Sequence, residues 1–185
     1  RPGLEPRKGA GMVAYAATFA SFCIILGAEQ AKTDCAYPAM KVRLVGHHSG
    51  MSMGFYGTSH HALEDLAISR TIADMTVVCA TDANHLRAIL RASTEHPGAM
   101  YIRLGRGRDP QVYPEVPRDF RIGKAATLRK GKDLALIACG SMLRATLDAA
   151  DLLSKRGIGK LFGPGSPTAD AIAYIKEWCA ANPCT

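Results

Sequence analysis

The sequence predicts an α/β fold in which a parallel sheet is flanked by helices, and three observations carry that expectation. Short β-branched runs alternate with helical periodicity from Lys41 onward. The order of these segments is strand, helix, strand, helix, strand. With 48% hydrophobic and 21% charged residues in a chain of 185, there is enough apolar material for a buried core. Val42-Arg43-Leu44-Val45 is the first predicted strand, and residues 62–72 form a helix with Leu63, Leu66 and Ala67 on one face. Thr76–Cys79 is the next strand and residues 83–93 the next helix, with Leu86, Ile89 and Leu90 spaced for burial. Residues 100–104 close the series. Such alternation needs crossovers, hence a parallel sheet covered on both faces, and ligands are expected beyond the carboxyl ends of its strands.

The flanking regions are less regular. Residues 9–28 carry no charge and follow Arg1, Arg7 and Lys8, a layout shared by signal peptides and short membrane spans. Tyr15, Thr18 and Ser21 interrupt the run, so a buried helix with an apolar entry accounts for it equally. On the other side, Pro110, Pro114 and Pro117 mark a linker. Beyond it, residues 120–128 read as extended, 133–138 as a buried strand, and 142–153 as a helix stopped by Gly157. The strand that should follow is missing: residues 158–162 run into Gly163-Pro164-Gly165, and a last helix is expected over 169–181. The expected domains are 1–117 and a partial second α/β domain, 118–185, with a discontinuity in the chain near Gly159.

A formal charge of +7 raises the question of an anionic partner. Basic residues are scattered except at Arg103, Arg106 and Arg108, and no Lys/Arg run with interleaved aromatics is present. Nucleic acid is therefore not the expected partner, nor is a membrane; an anionic small molecule suits one arginine cluster. Six cysteines, at 23, 35, 79, 139, 179 and 184, form no C-x-x-C pair and sit partly in apolar runs. That usage points to a reducing, cytoplasmic compartment.

Four of the six histidines, His47, His48, His60 and His61, lie in GHHSGMSMGFYGTSHH (46–61), between a predicted strand and a predicted helix. Histidines in such a loop could move protons and bind substrate, could be structural caps, or could hold zinc, although no third and fourth zinc ligand has a recognised spacing. Arg103, Arg106 and Arg108 follow the last strand among glycines, which leaves a guanidinium free to fork onto a phosphate or carboxylate, or simply solvated. Glu64 and Asp65 fall in the first turn of a helix, where the helix dipole is a sufficient reason for them.

Thr18-Phe19-Ala20-Ser21-Phe22, the 46–67 run GHHSGMSMGFYGTSHHALEDLA, Thr81-Asp82-Ala83-Asn84 and Tyr101-Ile102-Arg103-Leu104-Gly105-Arg106 together resemble the pyrimidine-binding domain of transketolases. The likeness is to the carboxyl-terminal subunit of the split, two-chain forms and covers roughly residues 9–157. It implies thiamine diphosphate chemistry, in which a two-carbon ketol unit passes from a ketose phosphate to an aldose. Carried over motif by motif, it places Phe19 and Phe22 around the aminopyrimidine ring of the cofactor. His48 falls near substrate and its phosphate, His60 at proton transfer on the substrate oxygens, and Arg106 on the sugar phosphate. Tyr56 stands where many members carry an aspartate that binds a donor hydroxyl. The resemblance assigns no role to His47 or His61.

The family's cofactor-activating glutamate belongs to a Gly-Ile-x-Glu motif upstream of the phenylalanines; nothing before Phe19 matches it, and Glu29 lies in the following helix. The resemblance also implies a diphosphate-binding partner subunit that holds Mg2+, in a heterotetramer with the active site between chains. Residues 9–26 then serve as interface and core. Two alternatives are a thiamine-dependent transfer to a non-sugar acceptor and a non-catalytic stabilising subunit.

Overall fold

A computed structural model describes residues 11–131 and 134–156. Its centre is a four-stranded parallel sheet in the order β1-β2-β4-β3, built from β1 (Ala14–Phe19), β2 (Val42–His47), β3 (Thr76–Cys79) and β4 (Met100–Arg103). The expected parallel α/β architecture is therefore present. Alternation along each strand sends neighbouring residues to opposite faces. Leu44, Val77 and Tyr101 pack with Cys23, Ile24, Ala31 and Ile72, whereas Val45, Val78 and Ile102 pack with Ile89, Leu86, Leu90 and Phe120. Both faces of the inner strands are covered, as a parallel sheet requires, whereas residues 14–17 of β1 are exposed.

The segment before Lys41 corrects one expectation. Instead of a buried helix over 9–28, it supplies edge strand β1, paired in register with β2 from Ala14–Val42 to Phe19–His47. A helical stretch follows: wide-turn helix at Ser21–Leu26, one α-turn at Ala28–Gln30 (α1), and a second wide turn at Ala31–Ala36. Each wide turn ends in a bond across five residues, Gly27 N–H to the Phe22 carbonyl (3.2 Å) and Tyr37 N–H to that of Lys32 (2.8 Å). The uncharged run hid this strand because apolar residues without alternation do not distinguish strand from helix. Among the described residues no helix is long and apolar enough to cross a membrane.

The helix expected from residue 62 begins later, as α2 (Asp65–Thr71), because Ala62 is taken by a backbone bridge to Gly50 with both N···O distances 3.0 Å. Its inward face is Asp65, Ile68 and Ser69 rather than Leu63, Leu66 and Ala67; Leu63 is 62% exposed. Helix α3 (Ala83–Glu95) buries Ile89 as expected and is held at both ends. Asp82 caps its start, accepting from the His85 N–H at 2.8 Å through one oxygen and from Val112 and Tyr113 N–H at 2.7 Å through the other. At the other end Arg43, wholly buried, donates to the carbonyls of Ser93 (2.6 and 2.9 Å), His96 (2.6 Å) and Gly98 (2.5 Å).

Residues 11–122 and 139–141 belong to this sheet unit; the remaining described residues belong to a second unit. That unit contains α4 (Met142–Arg156), slightly longer than expected. The strand expected over 133–138 is corrected: residues 134–138 pair with nothing as a strand, and Ile137 is 82% exposed. A short apolar run has no fixed structure until a neighbouring strand satisfies its backbone. Residues 120–128 also form no strand, although Phe120 and Ile122 pack on the sheet core. The discontinuity near Gly159 and the helix over 169–181 lie outside the described residues.

Candidate functional site

The parallel sheet brings its four carboxyl ends to one rim. Phe19 ends β1 beside His47 of β2, and Arg103 of β4 is paired with Gly46 on one side and Cys79 on the other. The loops that leave this rim carry the histidines and Arg106. Two backbone bonds stitch them together, from His48 N–H to the Gly105 carbonyl and from Ser49 N–H to that of Leu104, both 3.1 Å. His48 adopts a left-handed φ of 57°, a conformation a non-glycine residue holds only when its surroundings enforce it.

The expected residues converge. The Phe19 ring lies 5.8 Å from Phe22, 4.9 Å from His47, 4.9 Å from His48 and 5.5 Å from His60; Phe22 lies 5.1 Å from His60. Two tight turns, Gly54–Tyr56 and Thr58–His60, are separated by Gly57 at φ 72°, ψ −165°, a region open essentially to glycine alone. They fold Tyr56 onto His60 at 4.6 Å and Phe55 onto Tyr56 at 4.3 Å. Arg106 closes the row: its guanidinium stands 5.4 Å from the Phe55 ring centre and donates to the Ser52 carbonyl at 3.2 Å. Beside it opens a cleft of about 270 Å³, bordered by His48, Thr81, Asp82, Arg106 and Asp109.

The histidines are not equivalent. His47 and His48 face each other through their Nδ1 atoms at 2.7 Å, so one ring donates the proton and the other accepts it. Burial, then the neighbouring His48, holds His47 below the ordinary imidazole pKa. His60 Nδ1 meets the Ser59 hydroxyl at 3.0 Å. His61 points its Nε2 into the protein, where it has no hydrogen-bond partner. Among the described residues no group of three or more His, Cys, Asp or Glu side chains could hold a metal.

Arg103 and Asp65 depart from the expectations placed on them. Arg103 is not a free guanidinium of the cluster: its Nε donates to Asp65 at 2.7 Å and its Nη2 to the same carboxylate at 3.2 Å. Asp65, fully buried, also accepts the Tyr101 hydroxyl at 2.8 Å, so it is the anchor of a polar core and not merely a helix-dipole residue. Burial, with the Asp65 carboxylate, pushes the Tyr101 phenol far up. Arg103 Nη2 reaches the Ala62 carbonyl at 3.3 Å, which ties the end of the histidine loop to β4. Residue spacing carried no signal for this network, since Asp65 and Arg103 are 38 positions apart. The capping role of Asp82, by contrast, had a signal in its place immediately before the helical periodicity.

Comparison with known proteins identifies the class. Residues 4–110 match the family model for the transketolase pyrimidine-binding domain and residues 123–160 that for the transketolase C-terminal domain. The chain belongs to the transketolase family. It is 35% identical to an apulose-4-phosphate transketolase subunit of Phocaeicola vulgatus, over 75% of this chain and 45% of that protein. It is also 35% identical to the 6-deoxy-6-sulfo-D-fructose transketolase subunit SqwH of a Clostridium species, over 80% of this chain and 46% of that protein. A solved split-gene transketolase, an inactive β4 tetramer, superposes with a TM-score of 0.72 at 35% identity, over 80% of this chain and 47% of that one. The chain thus spans about half the length of the relatives it matches.

Thiamine diphosphate is the cofactor that family membership implies. Phe19 and Phe22 fit its ring end: they meet edge to face beside His60, and Phe22 remains 37% exposed, so an apolar surface is open to a flat heterocycle. Glu29 is exposed on α1.

Proposed function

We propose that this chain is the pyrimidine-binding part of a thiamine diphosphate-dependent transketolase that moves a two-carbon ketol unit between sugar phosphates. Its activity requires a partner subunit, which holds Mg2+ and the cofactor's diphosphate, in a heterotetramer. The cytoplasm is the proposed compartment, and residue 117 the proposed end of the first domain. The observation that carries this reading is the convergence of Phe19, Phe22, His48 and His60 at the carboxyl rim of a parallel sheet, beside the Arg106 guanidinium.

When bound, thiamine diphosphate supplies the electron sink for carbon–carbon cleavage, which no amino-acid side chain provides. The roles proposed for the protein groups are those the family resemblance implies, and their placement supports them. Phe19 and Phe22 hold the aminopyrimidine ring and keep water from it. His60, oriented through Nδ1 by Ser59, offers Nε2 to a substrate hydroxyl and moves its proton. His48, held at its backbone by Gly105, binds a substrate oxygen. Tyr56 lies against His60 and borders the donor, and Arg106 grips the terminal phosphate.

The test is an assay of the intact protein mixed with its diphosphate-binding partner, thiamine diphosphate and Mg2+, with a ketose phosphate as donor and an aldose phosphate as acceptor. Turnover is expected from the mixture and not from this subunit alone. His60→Ala is expected to lower kcat by about 100- to 10,000-fold, the usual contribution of one proton-transfer group. Ketol transfer by the isolated subunit, or an inert mixture of all components, would overturn the reading.

A further inference from the structure

Arg106 differs from Arg103, Arg129 and Arg144 in what it touches. Arg103, Arg129 and Arg144 each pair with a carboxylate, those of Asp65, Asp151 and Asp148. Arg106 is held by two neutral groups, the Ser52 carbonyl and the face of Phe55, and among the described residues no carboxylate lies within 4.0 Å of it. Asp109 borders the same cleft, but its carboxylate lies over Gly105, so close that it leaves no room for a Cβ there. Neutral partners fix the direction of a guanidinium without cancelling its charge. The negative face of an aromatic ring does so while leaving the N–H edges open to a planar or tetrahedral oxyanion.

Phe55 itself is 68% exposed, so core packing does not explain its place. Its position is set by the turn Gly54–Tyr56, anchored by the buried Met53, whose carbonyl accepts the Tyr56 N–H at 3.0 Å, and by stacking on Tyr56. A large apolar ring kept in solvent by a rigid turn, with a guanidinium over it, has the geometry of a support.

We propose that Phe55 is a positioning residue that holds the Arg106 guanidinium, with its charge intact, toward the phosphate of a sugar substrate. This rests on the reading of Arg106 given under Proposed function, and it adds a determinant of preference for phosphorylated over neutral sugars that lies one residue from Tyr56.

The test compares Phe55→Ala, Phe55→Leu, Phe55→Tyr and Arg106→Ala in the assembled two-subunit enzyme, with D-ribose 5-phosphate and D-ribose as acceptors. Calorimetric titration of D-ribose 5-phosphate into the same assembly without thiamine diphosphate gives a second readout. Phe55→Ala and Phe55→Leu should raise KM and Kd for the phosphorylated sugar about 2- to 5-fold, as loss of one cation–π contact predicts. KM for D-ribose should not rise with it, and kcat should fall less than KM rises. Phe55→Tyr, which retains the ring, should restore the affinity. Equal effects on both sugars, or full affinity in Phe55→Leu, would overturn the inference while leaving the site intact. An Arg106→Ala variant that still prefers the phosphorylated sugar would instead overturn the underlying reading of Arg106.

Discussion

Asp65 accepts Arg103 Nε at 2.7 Å from a position with no solvent exposure, and the same carboxylate takes the Tyr101 hydroxyl at 2.8 Å. The pair joins the first residue of α2 to the last residue of β4. The histidine loop and the Arg106 loop therefore depart from one shared polar anchor beneath the rim.

Removing one member of such a group leaves the others buried and unpaired. Asp65→Ala should destabilise the protein by about 3–5 kcal/mol, because Arg103 retains its charge without compensation. Urea denaturation of the intact protein measures this; a loss under about 1 kcal/mol, the range of exposed pairs, would mean that the pair is solvated.

Gly46 makes room for this anchor. A Cβ there would overlap the Tyr101 hydroxyl and lie 2.7 Å from its ring, and Tyr101 is itself fully buried. Gly46→Ala should cost about 1–3 kcal/mol by overpacking. The additional loss on adding Tyr101→Phe should be smaller than that mutation costs alone, because the hydroxyl has already been displaced from Asp65. Additive losses in a double-mutant cycle would contradict this account.

Asp82 links acid stability to the cleft wall. Burial by itself would raise its pKa, but the N–H groups of His85, Tyr113 and Val112, with the nearby His85 ring, outweigh burial and hold it below the usual carboxylate value of 3.8. A carboxyl depressed in the folded state stabilises the fold at pH above that value, and this contribution is lost as pH falls through the folded pKa. Asp82→Asn should therefore flatten the fall in stability on the acid side of 3.8. At neutral pH it should cost about 1–3 kcal/mol, because the Asn carbonyl can still accept from the His85 N–H but its NH2 group cannot accept from the Val112 and Tyr113 N–H groups. Stability curves of both proteins from neutral pH down to about pH 2 provide the check.

His47 should titrate below an ordinary histidine, whose pKa is 6.5, since burial and then His48 oppose its protonation. His48→Ala removes the opposing ring and should move the His47 midpoint upward, with burial keeping it below 6.5. Histidine NMR titration resolves the two; an unchanged midpoint would mean that the Nδ1 contact is not present in solution.

Much of the fold was legible in residue order. Strands Val42–His47, Thr76–Cys79 and Met100–Arg103, with helix Ala83–Glu95, follow from β-branched runs alternating with helical periodicity. The errors have physical causes. Strand β1 was hidden in an uncharged run with no alternation, and the strand expected over 133–138 was read from apolar content that finds no pairing partner among the described residues. The start of α2 was displaced because the Gly50–Ala62 bridge overrode local helical preference. In the site, GHHSGMSMGFYGTSHH marked the loop and its histidines, while Arg43, Asp65 and Tyr101 were invisible because their partners lie 36 or more residues away.

Sequence alone determined the parallel α/β class, the family resemblance, and the side chains available for chemistry, since periodicity and motif spacing are local properties of the chain. Tertiary structure decided which of those groups are free to act. Arg103 is consumed by Asp65, whereas Arg106 rests on a neutral ring, although the two have identical chemistry and stand three residues apart in the chain. What separates them is whether a carboxylate from a distant segment is folded against the guanidinium, and only the packing of α2 beneath β4 settles that.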